Sequence, residues 1–192
     1  MAKRILCFSG SARKDSLNKK LALLVCSRIQ DSGAEATYID LADFELPLYN
    51  GDLESASGIP ENAVKLKRIF CDHDGLFIAS PEHNSSYSAL LKNTIDWISR
   101  VNENGEAPLN AFLNKVAAIA AVSPAALGGY RGLIPLRLLL NNIGITVAPS
   151  QLSISDGFNA FSATGSLNNE HHEKLLIKII DSLLKTTIHS SI

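Results

Sequence analysis

Gly10-Ser11-Ala12-Arg13-Lys14-Asp15-Ser16-Leu17-Asn18 is the stretch on which the reading of this chain turns. The apolar run Ile5-Leu6-Cys7-Phe8 leads into it, and an apolar helical pattern leads out. A hydroxyl-rich turn between a buried strand and a helix start is where α/β proteins bind phosphate. The first N–H groups of the helix have no intrahelical acceptor and carry partial positive charge. Ser11 and Ser16 add hydroxyl donors, Arg13 adds a fixed charge with a planar fork, and Asn18, one turn on, adds an amide. The same residues also suit a plain polar turn with Ser16 as the helix N-cap, and the stretch alone leaves both readings open.

Outward from this turn the chain alternates strand and helix. Strand one is expected over Arg4–Ser9, apolar enough to be buried on both faces as in a parallel sheet. Helix one is expected over 16–32, with Leu17, Leu21, Leu24, Val25 and Ile29 at helical spacing and Gly33 behind it. Strand two follows at 36–41, a loop at 42–58, and a second helix from Pro60 to Cys71. Strand three is 75–79. Helix three is 88–101, with Leu91, Ile95, Ile98 and Val101 on one face. A polar loop containing Gly105 and Pro108 precedes strand four at 115–122. Helix four is 131–142, strand five 146–148, and 149–166 reads as loop. The last helix carries the cleanest stripe: Leu175, Leu176, Ile179, Ile180, Leu183 and Leu184.

Five strands interleaved with helices argue a doubly wound three-layer α/β fold in one domain spanning 1–192. Ligands of such folds bind beyond the carboxyl ends of the strands. The loops at 10–18, 80–86 and 123–131 all follow carboxyl ends and are rich in Ser, Asn, Gly and Pro. The net charge of −1 gives no electrostatic case for nucleic acid or an anionic membrane. No apolar run approaches the roughly 20 residues that span a bilayer, and no signal peptide is legible, so a cytoplasmic protein is expected. Cys7, Cys26 and Cys71 have no zinc or disulfide spacing, and the first two read as small core residues.

The first loop lacks Gly-x-Gly-x-x-Gly and the Gly-Lys-Ser/Thr of an NTPase, which leaves a monophosphate site. In the second loop, Asn84, Ser85, Ser86 and the amides after Pro81 suit the carbonyls and nitrogens of a flat heterocycle. Glu82 is open between a general acid/base and a solvent-facing or helix-capping role; His83 is open between proton donor, stacking face and plain exposure. In the third loop Gly128 and Gly129 let backbone approach a ligand, and Arg131 is open between anion binding and capping. No Ser/His/Asp set and no metal-ligand cluster is spaced for chemistry, so no catalytic side chain and no metal is expected. A monophosphate site beside an uncharged polar cleft reads as a site for flavin mononucleotide.

At these residues the chain resembles the NAD(P)H-dependent FMN reductases of flavodoxin-like fold, which include quinone, chromate and azo-dye reductases. Residues 10–18 resemble the family's Gly-Ser-x-Arg-x-x-Ser-x-Asn loop. Pro81-Glu82-His83-Asn84-Ser85-Ser86, then Leu91-Lys92-Asn93-Thr94-Ile95-Asp96-Trp97, resemble its second signature, and Gly128-Gly129-Tyr130-Arg131-Gly132 its Gly-Gly-x-Arg segment. The resemblance implies a five-stranded parallel sheet of order 2-1-3-4-5. It implies that Ser11, Arg13, Ser16, the Leu17 amide and Asn18 hold the FMN phosphate. Pro81, Glu82, Asn84, Ser85 and Ser86 would line the ring, with His83 beside it and Ser123, Gly128 and Gly129 on its border. Lys92, Asn93 and Asp96 would brace the helix, and Trp97 would sit in the core or in a subunit contact.

Activity implied by the same likeness is hydride transfer from NADPH or NADH through FMN to a small-molecule acceptor such as a quinone, azo compound, free flavin or oxidised metal ion, in a homodimer or homotetramer. Two departures stand out: His83 replaces the family's Tyr, and Ser88-Ala89 replaces Pro-Gly, which is expected to relax the start of helix three. The rival readings are a flavodoxin-like electron carrier without turnover, disfavoured by the near-neutral charge, and a flavin-free binding module.

Overall fold

The computed structural model describes residues 2–101 and 106–187; Met1 and the expected loop residue Gly105 lie outside them. Strand β1 (Arg4–Ser9) is buried beyond its first residue, and every residue of β3 (Gly75–Ala79) and β4 (Val116–Val122) is buried. Strands sealed on both faces have no polar side to alternate with, which is why they read as continuous apolar runs. With β2 (Glu35–Asp40) and β5 (Thr146–Val147) they form a parallel sheet in the order β2-β1-β3-β4-β5, as expected.

The expected loop at 149–166 is not all loop. β6 (Leu152–Ile154) pairs in parallel with Ala120–Val122, while β5 pairs with Val116 and Ala117, so the fifth position is filled by two short pieces. Pro149 lies between them and cannot donate to a ladder, so the strand breaks there and resumes.

Helices α1 (Leu17–Asp31) and α6 (Glu170–Thr186) cover one face, meeting Ile5, Cys7, Phe77 and Ala118 with Leu21, Val25, Leu176 and Leu183. Helices α3 (Glu61–Cys71), α4 (Ala89–Ile98) and α5 (Tyr130–Asn142) cover the other, where Leu6, Phe8, Leu76 and Ile119 meet Phe70, Leu91, Leu133 and Leu136. Each such large side chain contributes about 1.5–3 kcal/mol by leaving water. Cys7 and Cys26 are buried within the first cluster.

Two further expectations are corrected. The segment 42–58 contains a 3-10 turn (Leu41–Asp43) and the helix α2 (Gly51–Ser57), capped by Asn50, whose Oδ1 accepts from Asp52 N at 2.8 Å. α4 stops at Ile98, and Val101 is exposed rather than on its buried face. The side chains of α4 reach the 47–49 segment. Asn93 accepts from Tyr49 N at 2.8 Å and donates to Pro47 O at 2.9 Å, and the Trp97 indole donates to the same carbonyl at 2.7 Å. Trp97 is fully buried and belongs to the core, whereas Leu48 at the tip of that segment is 81% exposed. Among the described residues no helix is long and apolar enough to cross a membrane.

Candidate functional site

Three loops converge on the carboxyl edge of the sheet, tied together by bonds between residues far apart in sequence. Gly10 N donates to Ala79 O at 3.0 Å, joining the first loop to β3. The Ser88 hydroxyl donates to Gly10 O at 2.5 Å and accepts from Leu91 N at 3.1 Å, so it caps α4 and fastens it to the first loop. The helix start expected to be relaxed by the loss of Pro-Gly is therefore locked by the serine that replaces it.

In the first loop, Ser11 Oγ accepts from Arg13 N at 3.3 Å, and Ser16 caps α1 by accepting from Lys19 N at 3.3 Å. Both hydroxyl protons remain available to an acceptor. The amides of Leu17 and Asn18 have no acceptor among the described residues, and the exposed Arg13 guanidinium makes no hydrogen bond or ion pair there. Asn18 departs from expectation. Its side chain is buried, accepting from Val122 N and donating to Val122 O, each at 3.0 Å. It is a strut between α1 and the end of β4, and the donor it leaves without an acceptor is its backbone N–H.

The second loop closes as a two-residue turn. His83 N donates to Ser86 O at 2.9 Å and Ser86 N to His83 O at 3.0 Å, with Asn84 at φ 50° and Ser85 at φ 66°. Left-handed backbone at two successive non-glycine residues is the strained type I′ geometry, and strain of this kind concentrates at ligand sites. It leaves the Asn84 and Ser85 amides without acceptors among the described residues.

The Glu82 side chain is largely covered, 11% exposed. Its Oε2 accepts from Arg131 N at 3.1 Å, and its Oε1 meets Arg131 Nε at 2.8 Å and Nη2 at 2.6 Å. It caps α5 from another loop, the capping role being one of its expected alternatives, and Arg131 supplies the counter-charge. Gly132 permits the approach: a Cβ there would lie 2.9 Å from Ser86 O and 3.2 Å from Glu82 Cα. In the third loop, Gly128 (φ 60°) and Gly129 (φ 89°) hold left-handed backbone, and a Cβ on Gly128 would lie 2.5 Å from the Ile154 carbonyl carbon. Ser123 Oγ accepts from Ala125 N at 3.2 Å.

Glu82, Asn84, Ser85, Ser123 and Gly129 line one cleft of about 550 Å³ with Ala125, Ala126, Leu127 and Arg131. Pro81, His83, Ser86 and Gly128 belong to the same loops but do not line it, and His83 is exposed. Ser11, Arg13, Ser16 and Leu17 lie on the adjoining first loop, joined to the cleft wall through Asn18 and Val122. A fourth loop, within the 149–166 segment that reads as loop, is not assigned to the site by the sequence. Gly157, after β6, donates to Ser123 O at 3.1 Å, and its Cα sits so close to α1 that a Cβ would lie 2.8 Å from Leu17 Cδ1. The Asp156-Gly157 pair was the available turn signal. Among the described residues, no group of three or more His, Cys, Asp or Glu side chains is placed to hold a metal ion.

The residues present fit a flavin mononucleotide: available hydroxyls, amides and a guanidinium at a helix start suit a dianionic phosphate, and amides at a strained turn suit ring carbonyls. Residues 3–159 match the family described as NADPH-dependent FMN reductase. The chain is 32% identical over 182 residues to a 2-hydroxy-1,4-benzoquinone reductase of Burkholderia sp, covering 94% of each chain. It is 33% identical over 184 residues to an NAD(P)H-dependent FMN reductase of Pseudomonas aeruginosa, covering 94% of this chain and 92% of that one. Among solved structures, it superposes on a flavoenzyme NAD(P)H:(acceptor) oxidoreductase of Paracoccus denitrificans with a TM-score of 0.79 at 30% identity, covering 96% of each. The chain belongs to the NADPH-dependent FMN reductase family and is an FMN-dependent oxidoreductase that takes its electrons from NAD(P)H.

Proposed function

We propose that this protein reduces quinone-like acceptors at a flavin held by the loops of the carboxyl edge. Ser11, Arg13, Ser16 and the Leu17 and Asn18 amides hold the phosphate. The turn at 83–86 and the segment 123–129 hold the ring, mostly through backbone N–H groups, so that donors face the ring edge where negative charge develops on reduction. Bound FMN supplies the hydride relay, and this chain supplies orientation and electrostatics. The observation that carries the reading is the juxtaposition of available donors on the first loop with the strained, amide-rich turn beside the cleft.

Leu127, Tyr130, Ile134 and Leu138 are 53%, 47%, 55% and 71% exposed, the last three one helical turn apart on α5. Leu127 also lines the cleft. An apolar stripe running into the site suits a second copy that closes it, in a homodimer or homotetramer of a cytoplasmic enzyme.

Purified protein is expected to be yellow and to oxidise NADH or NADPH rapidly when benzoquinone is present, with azo dyes, free flavin and oxidised metal ions as comparison acceptors. Colourless protein that takes up no FMN sinks the reading. Flavin that is reduced by nicotinamide but turns over with no acceptor would favour an electron carrier.

A further inference from the structure

The hydroxyl of Ser9 is the one buried orphan on the carboxyl edge among the described residues. Ser9 is 2% exposed, and its Oγ has no hydrogen-bond partner. It is the last residue of β1, immediately before the phosphate-type loop. Side chains alternate along a strand. Ile5 and Cys7 pack with Leu21 and Ala22 of α1, while Leu6 and Phe8 face the opposite helices. Ser9 shares the parity of Ile5 and Cys7, so its hydroxyl faces the side on which α1 begins. There the Leu17 and Asn18 amides also lack acceptors. A buried hydroxyl without a partner is unfavourable, and native proteins keep few of them. Donors at a strand end and at a helix start on the same side of the sheet, none with an acceptor among the described residues, describe a binding place for an anion.

We propose that Ser9 is a buried donor to the phosphate of the bound mononucleotide, approaching from beneath while Ser11 and Arg13 approach from outside. The inference rests on the FMN reading above and adds a residue to it. It has a signature that a packing role lacks. The same hydroxyl that destabilises the empty protein tightens the loaded one, so its removal moves the two states in opposite directions.

Flavin-stripped protein is the material for the test: wild type, Ser9→Ala and Ser9→Cys, the last keeping the side chain's shape, slightly enlarged, with only a weak S–H donor. Each is titrated with FMN and with riboflavin, which has the ring but no phosphate. Ser9→Ala is expected to weaken FMN binding about ten- to a hundredfold, the range for a hydrogen bond to a charged group. Riboflavin affinity is expected to stay where it was. The Tm of the stripped variant is expected to rise by about 2–4 °C. Ser9→Cys is expected to share the FMN-selective loss, so the question stays answerable if Ser9→Ala folds poorly. The ³¹P resonance of bound FMN is expected to shift in both variants. Unchanged FMN affinity, or equal losses for FMN and riboflavin, overturns the role of Ser9 alone. A fall in the Tm of stripped Ser9→Ala shows that the hydroxyl is already satisfied and overturns it too. Wild type that takes up no FMN overturns the cofactor reading, and this inference with it.

Discussion

The two ends of one sheet hold their polar groups differently. At the amino edge, among the described residues, Lys67 and Lys115 are buried and both are bonded, and the half-buried Lys3 and Arg4 have partners too, although the Arg4 Nε is itself buried without one. Lys67 is paired with Glu106 at 2.7 Å and bonds the Arg100 carbonyl, Lys115 bonds the His73 carbonyl, Lys3 bonds the Leu184 carbonyl, and Arg4 is paired with Asp74. At the carboxyl edge, Arg13 is exposed without a partner, Ser9 is buried without one, and several amides have no acceptor among the described residues. Left-handed backbone occurs at both ends, at Gly33, Asn114 and Gly144 ahead of β2, β4 and β5 as well as at Gly128, Gly129 and Asp156, but among the described residues only Asn84 and Ser85 are successive non-glycine residues that take it. Buried polar groups are normally satisfied internally, so the end that gathers a buried hydroxyl, helix-start amides and an unpaired guanidinium is the end shaped for something else.

The close approach of the carboxyl-edge loops gives the largest test of this contrast. Gly128→Ala forces a Cβ to 2.5 Å from the Ile154 backbone at φ 60° and is expected to lower stability by about 2–4 kcal/mol in urea unfolding. Gly33, at φ 85° with nothing within 4 Å of its Cβ position, is at the other end, and Gly33→Ala there is expected to cost only about 1 kcal/mol.

Charge removal comes next. Arg13→Ala is expected to weaken FMN binding about a hundredfold while leaving the Tm of the stripped protein unchanged. Lys115→Met, the same loss of charge at the amino edge, is expected to leave flavin affinity unchanged and to alter stability by about 1 kcal/mol or less. If both variants lose flavin equally, the edges are not distinct.

Glu82→Gln removes the charge that pairs with Arg131. The Arg131 side chain is 56% exposed, so the expected stability loss is only about 1 kcal/mol. Flavin affinity should drop several-fold, because the two loops that flank the cleft are joined by this pair. The pH profile of turnover should keep its shape; its collapse would restore Glu82 as a general acid.

The smallest effect is a pH dependence confined to the amino edge. Burial holds the His73 imidazole below its ordinary range. The unfolded chain therefore takes up the proton first. The stability tied to a neutral His73 is present in full above about pH 6.5, and it is lost as pH falls from there through the depressed folded value. His73→Gln should flatten part of the acid limb of a Tm-against-pH curve without moving flavin affinity.

Central strands and the positions of the three loops were legible because burial on both faces writes apolar runs directly into the chain. α2 was not, because none of its residues is buried and an exposed helix has no stripe to read. β6 was not, because three residues after a proline are too short for any period to register. The candidate site was legible as loops but not as contacts. Asn18 has the right residue type for a ligand amide, yet its partner, Val122, lies 104 residues away. The pairing of Glu82 with Arg131 spans 49 residues, and the glycine that admits it, Gly132, looks in sequence like an ordinary helix residue.

The interrupted fifth position also bears on how the protein behaves in a crowd. An open sheet edge is a template on which other chains can polymerise. Here the outer margin of β5 is occupied by α5. Val147 N is taken by Asn141 Oδ1 at 3.4 Å, and the carbonyls of Val147 and Ala148 accept from Arg137 Nη1 at 3.3 and 2.9 Å. Immediately beyond, Pro149 offers no hydrogen to an intruding strand. The helix that carries the exposed apolar stripe thus also guards the margin beside it, so that the surface open to association is a set of side chains rather than a free ladder. Side-chain contacts of the first kind can close into symmetric assemblies, whereas a free ladder adds strand after strand.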